Sequence, residues 1–506
     1  MSKRLQLFWF GLVVFLSSAL LMILEIVAGR IIAPYVGVSL YTWSSVIGIV
    51  LGGLSLGNWL GGRWADNGAG EKEVGITLLV SSASSIAILF LLTLLAPMIQ
   101  AAEINLLGAS FLYVLGLFFI PSTLLGVITP VLTTMGIKLD TRAGHIVGRM
   151  NALSALGSIL GTFAAGFWLI QFFGTRNIVI SVSVLLFIMG SLFLFRFNKK
   201  LMLILFMVNT VIGGVTYLRG GFQAYCDKES AYFCIRVVNA ADMVPRGDAR
   251  AMVLDHLVHG INYRHWPDSL FTPYVHLMDE LVQLHLGEQA NRAKYFFAGG
   301  GAYTSPRAVK AHSPQASITV SEIDKDVTRL AEERLFVDTD GMNILHMDAR
   351  MALESMADGQ FDVVVGDVFT DVVVPYHLLT REYNNLVSRK LQKNGLYVLN
   401  VVDIPHDPQL LKSMYKTLSA VFSYVDIWAE HRQTNIKRYT YVLSARHQQV
   451  MPETISARKG FKRDWKNVTS DILATGTAMN AIPVLTDDYA PVERLSSDLV
   501  LKEFGL

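Results

Sequence analysis

Residues 294–301 read KYFFAGGG, an apolar run of strand length that ends in three consecutive glycines. A strand that runs into glycines lets a ligand lie against the backbone near the start of the following helix. The segment TSPR at 304–307 fits such a helix start, because proline is favoured in the first turn of a helix. Three glycines also fit a plain tight turn, so the surrounding sequence has to decide between the two interpretations.

Apolar runs of strand length alternate with helical segments through the second half of the chain. The predicted strands are Lys294–Ala298, Ser317–Val320, Ile344–His346, Phe361–Val365, Leu396–Val401, Tyr424–Trp428 and Arg438–Leu443. This alternation predicts an α/β domain with a parallel sheet covered by helices on both faces. A polar stretch joins the last two runs, which predicts an antiparallel hairpin at that end of the sheet. Two earlier runs, Phe233–Val238 and Ala251–Asp255, predict a small antiparallel β-rich region ahead of it.

Small or acidic residues stand at the ends of the first four strands of the predicted sheet. After the glycines come Glu322 at the second strand end, Asp348 and Ala349 at the third, and Asp367 at the fourth, followed by Asp371. Parallel strands end at one edge of a sheet, where such sheets bind ligands. A carboxylate about twenty residues after a glycine loop is placed to hold a ribose diol. Together these residues predict a nucleoside-type site, although each acid taken singly also fits a helix N-cap.

The two halves of the chain differ in charge. The 506 residues are 52% hydrophobic and 17% charged, but about 9% of the first 220 residues are charged against about 23% of the remainder. The formal charges of these parts are +7 and −5. This division excludes a single globular domain, a disordered chain and a nucleic-acid binder that relies on a basic surface. Two cysteines also exclude a disulfide-rich scaffold.

The first 220 residues have the composition of a membrane bundle. A helix needs about 20 apolar residues to cross a bilayer, because lipid does not tolerate unpaired backbone polar groups. Seven windows qualify: 7–28, 40–62, 76–99, 106–129, 144–172, 177–195 and 201–218. We therefore expect a transmembrane helical bundle of about seven helices at 1–220, a small β-rich region at 221–290, and an α/β nucleoside-binding domain with a C-terminal tail at 291–506.

Glycines recur every four residues within two of the spans, at 53, 57 and 61 and at 157 and 161. Such spacing is typical of close helix packing in membranes, and a substrate path is the alternative interpretation. Polar and charged side chains are costly in lipid, so we expect Glu25, Arg30, Asn58, Arg149 and Asn151 to pair inside the bundle or to lie at its ends. A Glu25–Arg30 or Glu25–Arg149 pair is one arrangement that meets this expectation. Pro121 and Pro130 are expected to kink the fourth span or to mark its end.

The distribution of basic residues predicts the orientation of the bundle. With the N-terminus in the cytoplasm, two basic residues, Arg30 and Arg176, lie outside, and nine lie inside: Lys3, Arg4, Arg63, Lys72, Lys138, Arg142, Arg196, Lys199 and Lys200. We therefore expect a multi-pass protein of the cell (inner) membrane. Seven spans then put the second half on the outer side, although a miscount of one span reverses this. Cys226 and Cys234 either form a disulfide, which persists outside, or are two unrelated buried thiols.

Residues 225–445 resemble the spermidine synthase family, aminopropyltransferases with a Rossmann-like, class I methyltransferase-like fold. The whole chain is similar to the membrane-fused spermidine synthase-like proteins. The segment Glu229–Tyr232, followed by Ile235 and Val237, resembles the family's first strand, and Leu254–Asp255 its second. The segment LTDDYAPV at 485–492 resembles a tail motif of the fused group.

The resemblance implies roles for the residues at the predicted strand ends. Nucleoside binding is carried over to Gly299, Gly300, Gly301, Glu322, Asp348 and Ala349, the acceptor pocket to Tyr274 and His259, and the reacting amine to Asp367 and Asp371. The implied co-substrate is decarboxylated S-adenosylmethionine or S-adenosylmethionine, with no permanently bound cofactor and no metal. The implied partners are the lipid bilayer and a small amine or polyamine, without nucleic acid, and a homo-oligomer stays open.

The sequence departs from the family at three positions. Ala302 stands where the family has an aspartate that holds the donor's amino group, and His259 stands where a glutamine is usual. Asp367 and Asp371 are separated by three residues instead of two. Two functions therefore stay open: an aminopropyltransferase-like enzyme that alkylates an amine, and a catalytically altered, membrane-anchored binding or scaffold protein whose soluble domain lies outside. Another transfer reaction with the same donor, such as methyl transfer, is a third option.

Overall fold

A computed structural model describes residues 2–102, 104–245, 247–368, 375–430, 438–448 and 450–502. The chain divides into two compact units, with the division between Cys234 and Ile235. The first unit is helical and the second contains the sheets.

The first unit is a bundle of long apolar helices. Its elements are α1 (Lys3–Val36), α2 (Leu40–Asp66), α3 (Glu71–Ala101), α4 (Leu106–Leu139), α5 (Ala143–Ala164), a π-helical turn (Ala165–Leu169), α6 (Ile170–Phe173), α7 (Thr175–Leu194), α8 (Lys199–Leu218) and a two-residue strand, β1 (Lys228–Glu229). Helices α5 and α6 form one continuous segment with the π-helical turn. Counted in this way, seven helices among the described residues have the length and composition needed to cross a bilayer.

Glycines bring the backbones of the bundle helices together. A Cβ atom built on Gly57 of α2 would lie 2.1 Å from the carbonyl oxygen of Thr123 in α4, and one on Gly157 of α5 would lie 2.1 Å from that of Phe15 in α1. No side chain fits at such distances, so these glycines allow close packing of the helices. Of the two interpretations of their spacing, helix packing therefore applies rather than a substrate path. Pro130 does not end α4, which continues to Leu139.

The segment 221–234 is tied to the end of the bundle where α1 ends and α7 begins. The Arg30 guanidinium donates to the carbonyl oxygen of Ser230 at 2.7 Å and to that of Tyr232. The Glu229 carboxylate accepts from the backbone N–H of Thr175 at 2.8 Å and from its hydroxyl at 2.9 Å. Among the described residues, Arg30 therefore binds backbone carbonyls, and the possible Glu25–Arg30 pair is not formed.

The two cysteines of this segment are joined. Cys226 and Cys234 form a disulfide, with their Cα atoms 5.3 Å apart. The structure therefore contains the first of the two alternatives left open by the sequence. The two cysteines are eight positions apart in the sequence. The loop between them contains Glu229 and Ser230, which contact the bundle.

The second unit begins with a small antiparallel sheet. Its strands are β2 (Cys234–Asn239), β3 (Ala249–Leu254) and β4 (Leu257–Tyr263), and β3 pairs with both neighbours. The predicted pair of strands is confirmed, and β4 is an addition that the sequence did not signal. Helix α9 (Pro273–Leu286) follows and leads to the large sheet.

Among the described residues, the large sheet has nine strands, which are connected by helices. In chain order these elements are β5 (Lys294–Ala298), α10 (Thr304–His312), β6 (Ser317–Ser321), α11 (Lys325–Arg334), β7 (Asn343–Leu345), α12 (Ala349–Glu354), β8 (Phe361–Gly366), α13 (Arg381–Lys390), β9 (Leu391–Asp403), α14 (Gln409–Ser419), β10 (Tyr424–Glu430), β11 (Tyr439–Arg446), β12 (Thr454–Ser456), β13 (Asp464–Asn467), α15 (Thr469–Ala474), α16 (Val492–Leu495) and α17 (Ser497–Lys502). All seven predicted strands are present, and β12 and β13 were not predicted.

The strand order of this sheet is β12-β13-β10-β11-β9-β8-β5-β6-β7. Strands β5 to β9 are parallel, and β10 and β11 form the expected antiparallel hairpin. From β5 the chain moves outward through β6 and β7, then returns to place β8 on the other side of β5. This reversal makes the carboxyl ends of β5 and β8 the topological switch point, where parallel sheets bind ligands.

Helices pack on both faces of the sheet, as the alternating pattern predicts. One face buries Phe296, Val364 and Leu399 in a cluster with residues of α12, α13 and α14. On the other face, Phe297 and Val365 lie with Met278 of α9 and Val309 of α10. Burial on both faces explains why these strands are continuous apolar runs rather than alternating ones.

Replacement of Gly57 tests the close packing of α2 on α4. We expect Gly57→Leu to destabilise the bundle by about 1–3 kcal/mol or more, because the new side chain meets backbone atoms that cannot move aside. Gly52→Leu is the matched control, since nothing lies within 4 Å of the Cβ position of Gly52 on the same helix. Thermal unfolding of the full chain in detergent measures both, and equal stability of the two variants would contradict the packing role.

Candidate functional site

Gly299 fixes the geometry of the switch point. Its φ of +90° lies in the left-handed region, and a Cβ atom there would lie 2.2 Å from the carbonyl oxygen of Asp367. Its N–H donates to Ser321 at 2.9 Å, while the N–H of Asp367 donates to Ala298 at 3.0 Å. The ends of β5, β6 and β8 are therefore joined through backbone hydrogen bonds, and only glycine fits at their centre.

Glu322, at the end of β6, accepts hydrogen bonds from the glycine loop. Its Oε2 accepts from the N–H of Gly300 at 2.9 Å and of Gly301 at 3.1 Å, and its Oε1 accepts from the N–H of Asp324 at 2.9 Å. Burial raises the pKa of the Glu322 carboxyl, and these three donors oppose that rise. A carboxylate offers about four lone-pair sites, so about one is left for a ligand hydroxyl.

Asp348, at the end of β7, has two sets of partners. Its Oδ1 accepts from the N–H groups of Arg350 at 2.9 Å and Met351 at 3.2 Å, which makes Asp348 the N-cap of α12. Its Oδ2 lies 2.8 Å from Nε2 of His377. The N-cap interpretation therefore holds for this residue, and Oδ2 still faces away from the helix. Ala349 is buried in the first turn of α12.

Asp367 lies at the end of β8 with two polar neighbours. Asn400 of β9 donates to its Oδ1 at 3.0 Å, and the Tyr274 hydroxyl lies 3.5 and 3.4 Å from its two carboxylate oxygens. Burial raises the pKa of Asp367 from 3.8 to about 6, although both hydrogen bonds favour the ionised form. A carboxylate with a pKa near 6 is ionised at neutral pH and can still accept a proton from a bound group.

His259 borders the glycine loop rather than Asp367. The Cβ position of Gly301 lies 3.8 Å from the carbonyl oxygen of His259 and 4.0 Å from its Cβ. Burial, together with neighbouring His256, lowers the pKa of His259 to about 4, so its imidazole is neutral at physiological pH. Its Nε2 is buried and makes no hydrogen bond to the described residues, which leaves it for a ligand.

Ala302 is part of the packing between the glycine loop and β4. It is 2% exposed, and a Cβ atom on Gly260 would lie 2.6 Å from the Cβ of Ala302. Asn262 of β4 donates to the carbonyl oxygen of Ala302 at 2.8 Å and accepts from the Thr304 hydroxyl at 2.9 Å. The loop is therefore held by a buried amide and a close apolar contact at the position where the family has an aspartate.

The structure brings most of the predicted residues to one edge of the sheet. The glycines, Glu322, Asp348 and Asp367 all follow the ends of parallel strands, and Tyr274 reaches Asp367. Asp371 lies outside the described residues. Sequence reasoning missed two neighbours of these acids, Asn400 and His377. Asn400 did carry a signal, because it is the single polar residue in the apolar run LYVLNVV at 396–402.

The sequence of this unit matches a known family. Residues 278–450 match the family described as the Spermine/spermidine synthase domain. A thermospermine synthase of Arabidopsis thaliana is 26% identical over 168 residues, which cover 31% of this chain and 49% of that protein. A probable polyamine aminopropyl transferase of Bifidobacterium longum is 25% identical over 284 residues, which cover 53% of this chain and 61% of that protein. The chain thus spans less than two thirds of the length of either relative.

Solved structures of similar proteins include a probable spermidine synthase from Corynebacterium glutamicum. It is 22% identical, with a TM-score of 0.44, and the match covers 52% of this chain and 95% of that chain. A spermidine synthase in complex with the transition state analogue AdoDATO is 18% identical, with a TM-score of 0.32, and the match covers 42% of this chain and 68% of that chain. The match of residues 278–450 confirms the resemblance to the spermidine synthase family for this part of the chain.

The raised pKa of Asp367 predicts a pH-dependent cost to stability. The folded-state pKa of about 6 exceeds the ordinary 3.8. The contribution of Asp367 to the free energy of unfolding is therefore most favourable below pH 4 and is lost as pH rises through 6. We expect Asp367→Asn to be more stable than the wild type near pH 8, by up to about 3 kcal/mol, with the gap closing towards pH 4.

Unfolding temperatures of the full chain in detergent, measured across this pH range, test that expectation. Asp338→Asn is the control with the opposite sign, because the Lys310 ammonium lowers the pKa of Asp338. Its destabilisation is expected to diminish as pH falls. A gap between Asp367→Asn and the wild type that did not change with pH would contradict the assigned shift.

Proposed function

We propose that the second unit transfers an alkyl group from a sulfonium nucleoside to a small amine, as an aminopropyltransferase-like enzyme. The observation that carries this proposal is Asp367, a proton acceptor at the switch point, beside a glycine loop and a ring of strand-end acids. The match of residues 278–450 to the spermine/spermidine synthase domain supports the same reaction class. The proposed acceptor is a small amine or polyamine.

The chemistry requires a base at the reacting amine. A protonated amine has no free electron pair, so Asp367 accepts a proton from the nitrogen and orients the neutral amine. The nitrogen electron pair then attacks the carbon attached to the positive sulfur. A carbon–nitrogen bond forms, the carbon–sulfur bond breaks, and its electrons stay on sulfur, which leaves as a neutral thioether. Tyr274 and Asn400 hold the carboxylate in place for this step.

The proposed donor is decarboxylated S-adenosylmethionine or S-adenosylmethionine. Glu322 has about one lone-pair site left for a ribose hydroxyl, so a second ribose hydroxyl needs another partner or displaces a glycine N–H. The Oδ2 of Asp348 is an acceptor for an amino group on the base. The acidic strand ends also suit a cationic donor, because a cleft lined by negative charges raises the local concentration of cations.

We also propose that the first unit anchors the chain in the cell membrane by seven spans, with the N-terminus in the cytoplasm and the second unit outside. Nine basic residues against two in the loops support this orientation. The contact of Ser230 with Arg30 supports it as well, since the chain leaves α8 at the end of the bundle where α1 ends. The disulfide between Cys226 and Cys234 fits an oxidising compartment.

A membrane-anchored binding or scaffold protein is the second candidate, and Ala302 favours it. The Ala302 side chain is buried against Gly260, so this position offers no charge to the aminopropyl arm of a donor. An outside location also separates the domain from nucleosides made in the cytosol. This candidate keeps nucleoside binding and loses group transfer, so binding and turnover measured on the same sample distinguish it from the enzyme.

Two single variants separate catalysis from binding. We expect Asp367→Asn to lower kcat by at least about a hundredfold while the affinity for the thioether nucleoside stays nearly unchanged, because general-base catalysis contributes roughly 10²–10⁴-fold. Glu322→Gln should instead weaken nucleoside binding. For the wild type, kcat/KM should rise as pH passes through about 6. Turnover assays on the full chain in detergent, with a series of amines, provide these values, and full activity of Asp367→Asn would remove it from the mechanism.

Reporter fusions test the proposed orientation. An alkaline phosphatase domain, which is active only outside, should be active when fused after Gly221 and inactive when fused after Asp140, between α4 and α5. A fluorescent protein that folds only inside should give the reverse pattern. The two fusion points differ by three spans and therefore control for each other. Equal behaviour at both points would contradict the seven-span orientation.

A further inference from the structure

The tail motif at 485–492 is firmly seated on the second unit. Leu485 is fully buried, its N–H donates to the Thr417 hydroxyl at 2.9 Å, and its carbonyl oxygen accepts from the N–H of Arg381 at 2.8 Å. Thr486 and Tyr489 exchange backbone hydrogen bonds at 3.0 Å and close a tight turn. Asp487 lies inside this turn, so the position of its backbone is fixed.

Asp487 forms a bidentate pair with Arg350. The two guanidinium nitrogens donate to its two carboxylate oxygens at 2.8 and 2.7 Å, and the Thr380 hydroxyl donates to Oδ1 at 2.7 Å. The Glu382 carboxylate accepts from the N–H of Asp487 at 3.0 Å. The hydrogen bonds from Arg350 and Thr380 lower the pKa of Asp487 to about 2, so the pair is intact throughout the neutral range. Bidentate geometry fixes the orientation of the guanidinium as well as its position.

Arg350 connects the tail to the acid at the end of β7. Its N–H donates to Oδ1 of Asp348 at 2.9 Å, and its guanidinium donates to the carbonyl oxygen of His377 at 3.2 Å. The imidazole of His377 in turn lies 2.8 Å from Oδ2 of Asp348. Both carboxylate oxygens of Asp348 are therefore positioned by groups that Arg350 holds, one through its own backbone and one through His377.

We propose that Asp487 is a positioning residue for the nucleoside base, acting through Arg350 and His377 on the carboxylate of Asp348. This inference rests on the proposed function, in which Asp348 faces the amino group of the base. The tail motif is then part of the nucleoside half of the site, although it follows Asp348 by more than a hundred residues.

Stability alone is a poor explanation for this arrangement. Side-chain exposure is 26% for Arg350 and 42% for Asp487, and ion pairs at such exposed positions contribute little to folding. The pair nevertheless joins the tail, the start of α12 and the turn that contains His377. We therefore expect loss of the Arg350–Asp487 pair to change the orientation of Asp348 much more than the stability of the domain.

The test compares two nucleosides in calorimetry on the full chain in detergent. The first is 5′-methylthioadenosine, and the second is its analogue whose purine lacks the 6-amino group. The wild type should bind the first about tenfold or more tightly than the second, because a hydrogen bond to a charged acceptor is worth about 1.5–3 kcal/mol. Asp487→Asn should lower affinity for the amino form about tenfold and leave the analogue within about twofold, so the ratio approaches one.

Three further variants make the result specific. Asp487→Glu keeps the carboxylate and should restore part of the preference for 5′-methylthioadenosine over the analogue. In an Asp348→Ala background, Asp487→Asn should have no further effect, because both changes act on one contact. Asp338→Asn breaks another exposed ion pair, that with Lys310 at 2.7 Å, and should leave both affinities unchanged.

The outcomes separate this inference from the proposed function. If the wild type binds neither nucleoside, the proposed function fails. If the wild type prefers 5′-methylthioadenosine and Asp487→Asn shows the same ratio of affinities for the two nucleosides, the positioning role of Asp487 is overturned while the proposed function stands. An equal loss of affinity for both nucleosides in Asp487→Asn would also overturn it, because that pattern indicates general disruption of the site.

Discussion

The close approach of Gly299 to Asp367 is the constraint on which the candidate site depends. The carbonyl oxygen of Asp367 occupies the space that a Cβ atom at position 299 would need, only 2.2 Å away. This contact keeps the ends of β5 and β8 together where the strand order reverses. A larger residue at 299 would separate the strand ends, and with them the glycine loop from the acid at the end of β8.

The same loop determines the electrostatics of the site. Its backbone N–H groups at Gly300 and Gly301 donate to the buried Glu322 carboxylate and oppose the rise in its pKa that burial causes. Asp367 receives fewer donors, so burial raises its pKa to about 6. The two acids, at the ends of strands on either side of β5, therefore differ in chemistry. Glu322 accepts three backbone hydrogen bonds, keeps about one lone-pair site and is suited to binding, whereas Asp367 is suited to accepting a proton.

The sequence predicts the elements and the strand-end residues because both follow local rules. Apolar runs such as Phe361–Val365 identify buried parallel strands, and the parallel arrangement brings their ends to one edge without further information. Short strands such as β12 lack such a run and were missed. The seven long helices follow equally from the length of their apolar runs. The close packing at Gly57 follows from the recurrence of glycine every four residues in α2.

The partners of those residues could not be predicted in the same way. Arg30 binds the carbonyls of Ser230 and Tyr232, about 200 residues away, and Asp487 binds Arg350 at a separation of 137. Every residue has a backbone carbonyl, so the sequence does not indicate which of them an arginine binds. An ion pair between distant residues also produces no repeating pattern from which it could be predicted. The packing of Ala302 against Gly260 likewise depends on the approach of β4, a strand that the sequence did not signal.

The most direct measurement is the structure of the full chain with 5′-methylthioadenosine bound. We expect the nucleoside at the carboxyl edge of the sheet, with a ribose hydroxyl on Glu322, the 6-amino group on Asp348 and the thioether sulfur towards Asp367. Density for the nucleoside at another surface, with the glycine loop and Glu322 unoccupied, would contradict it.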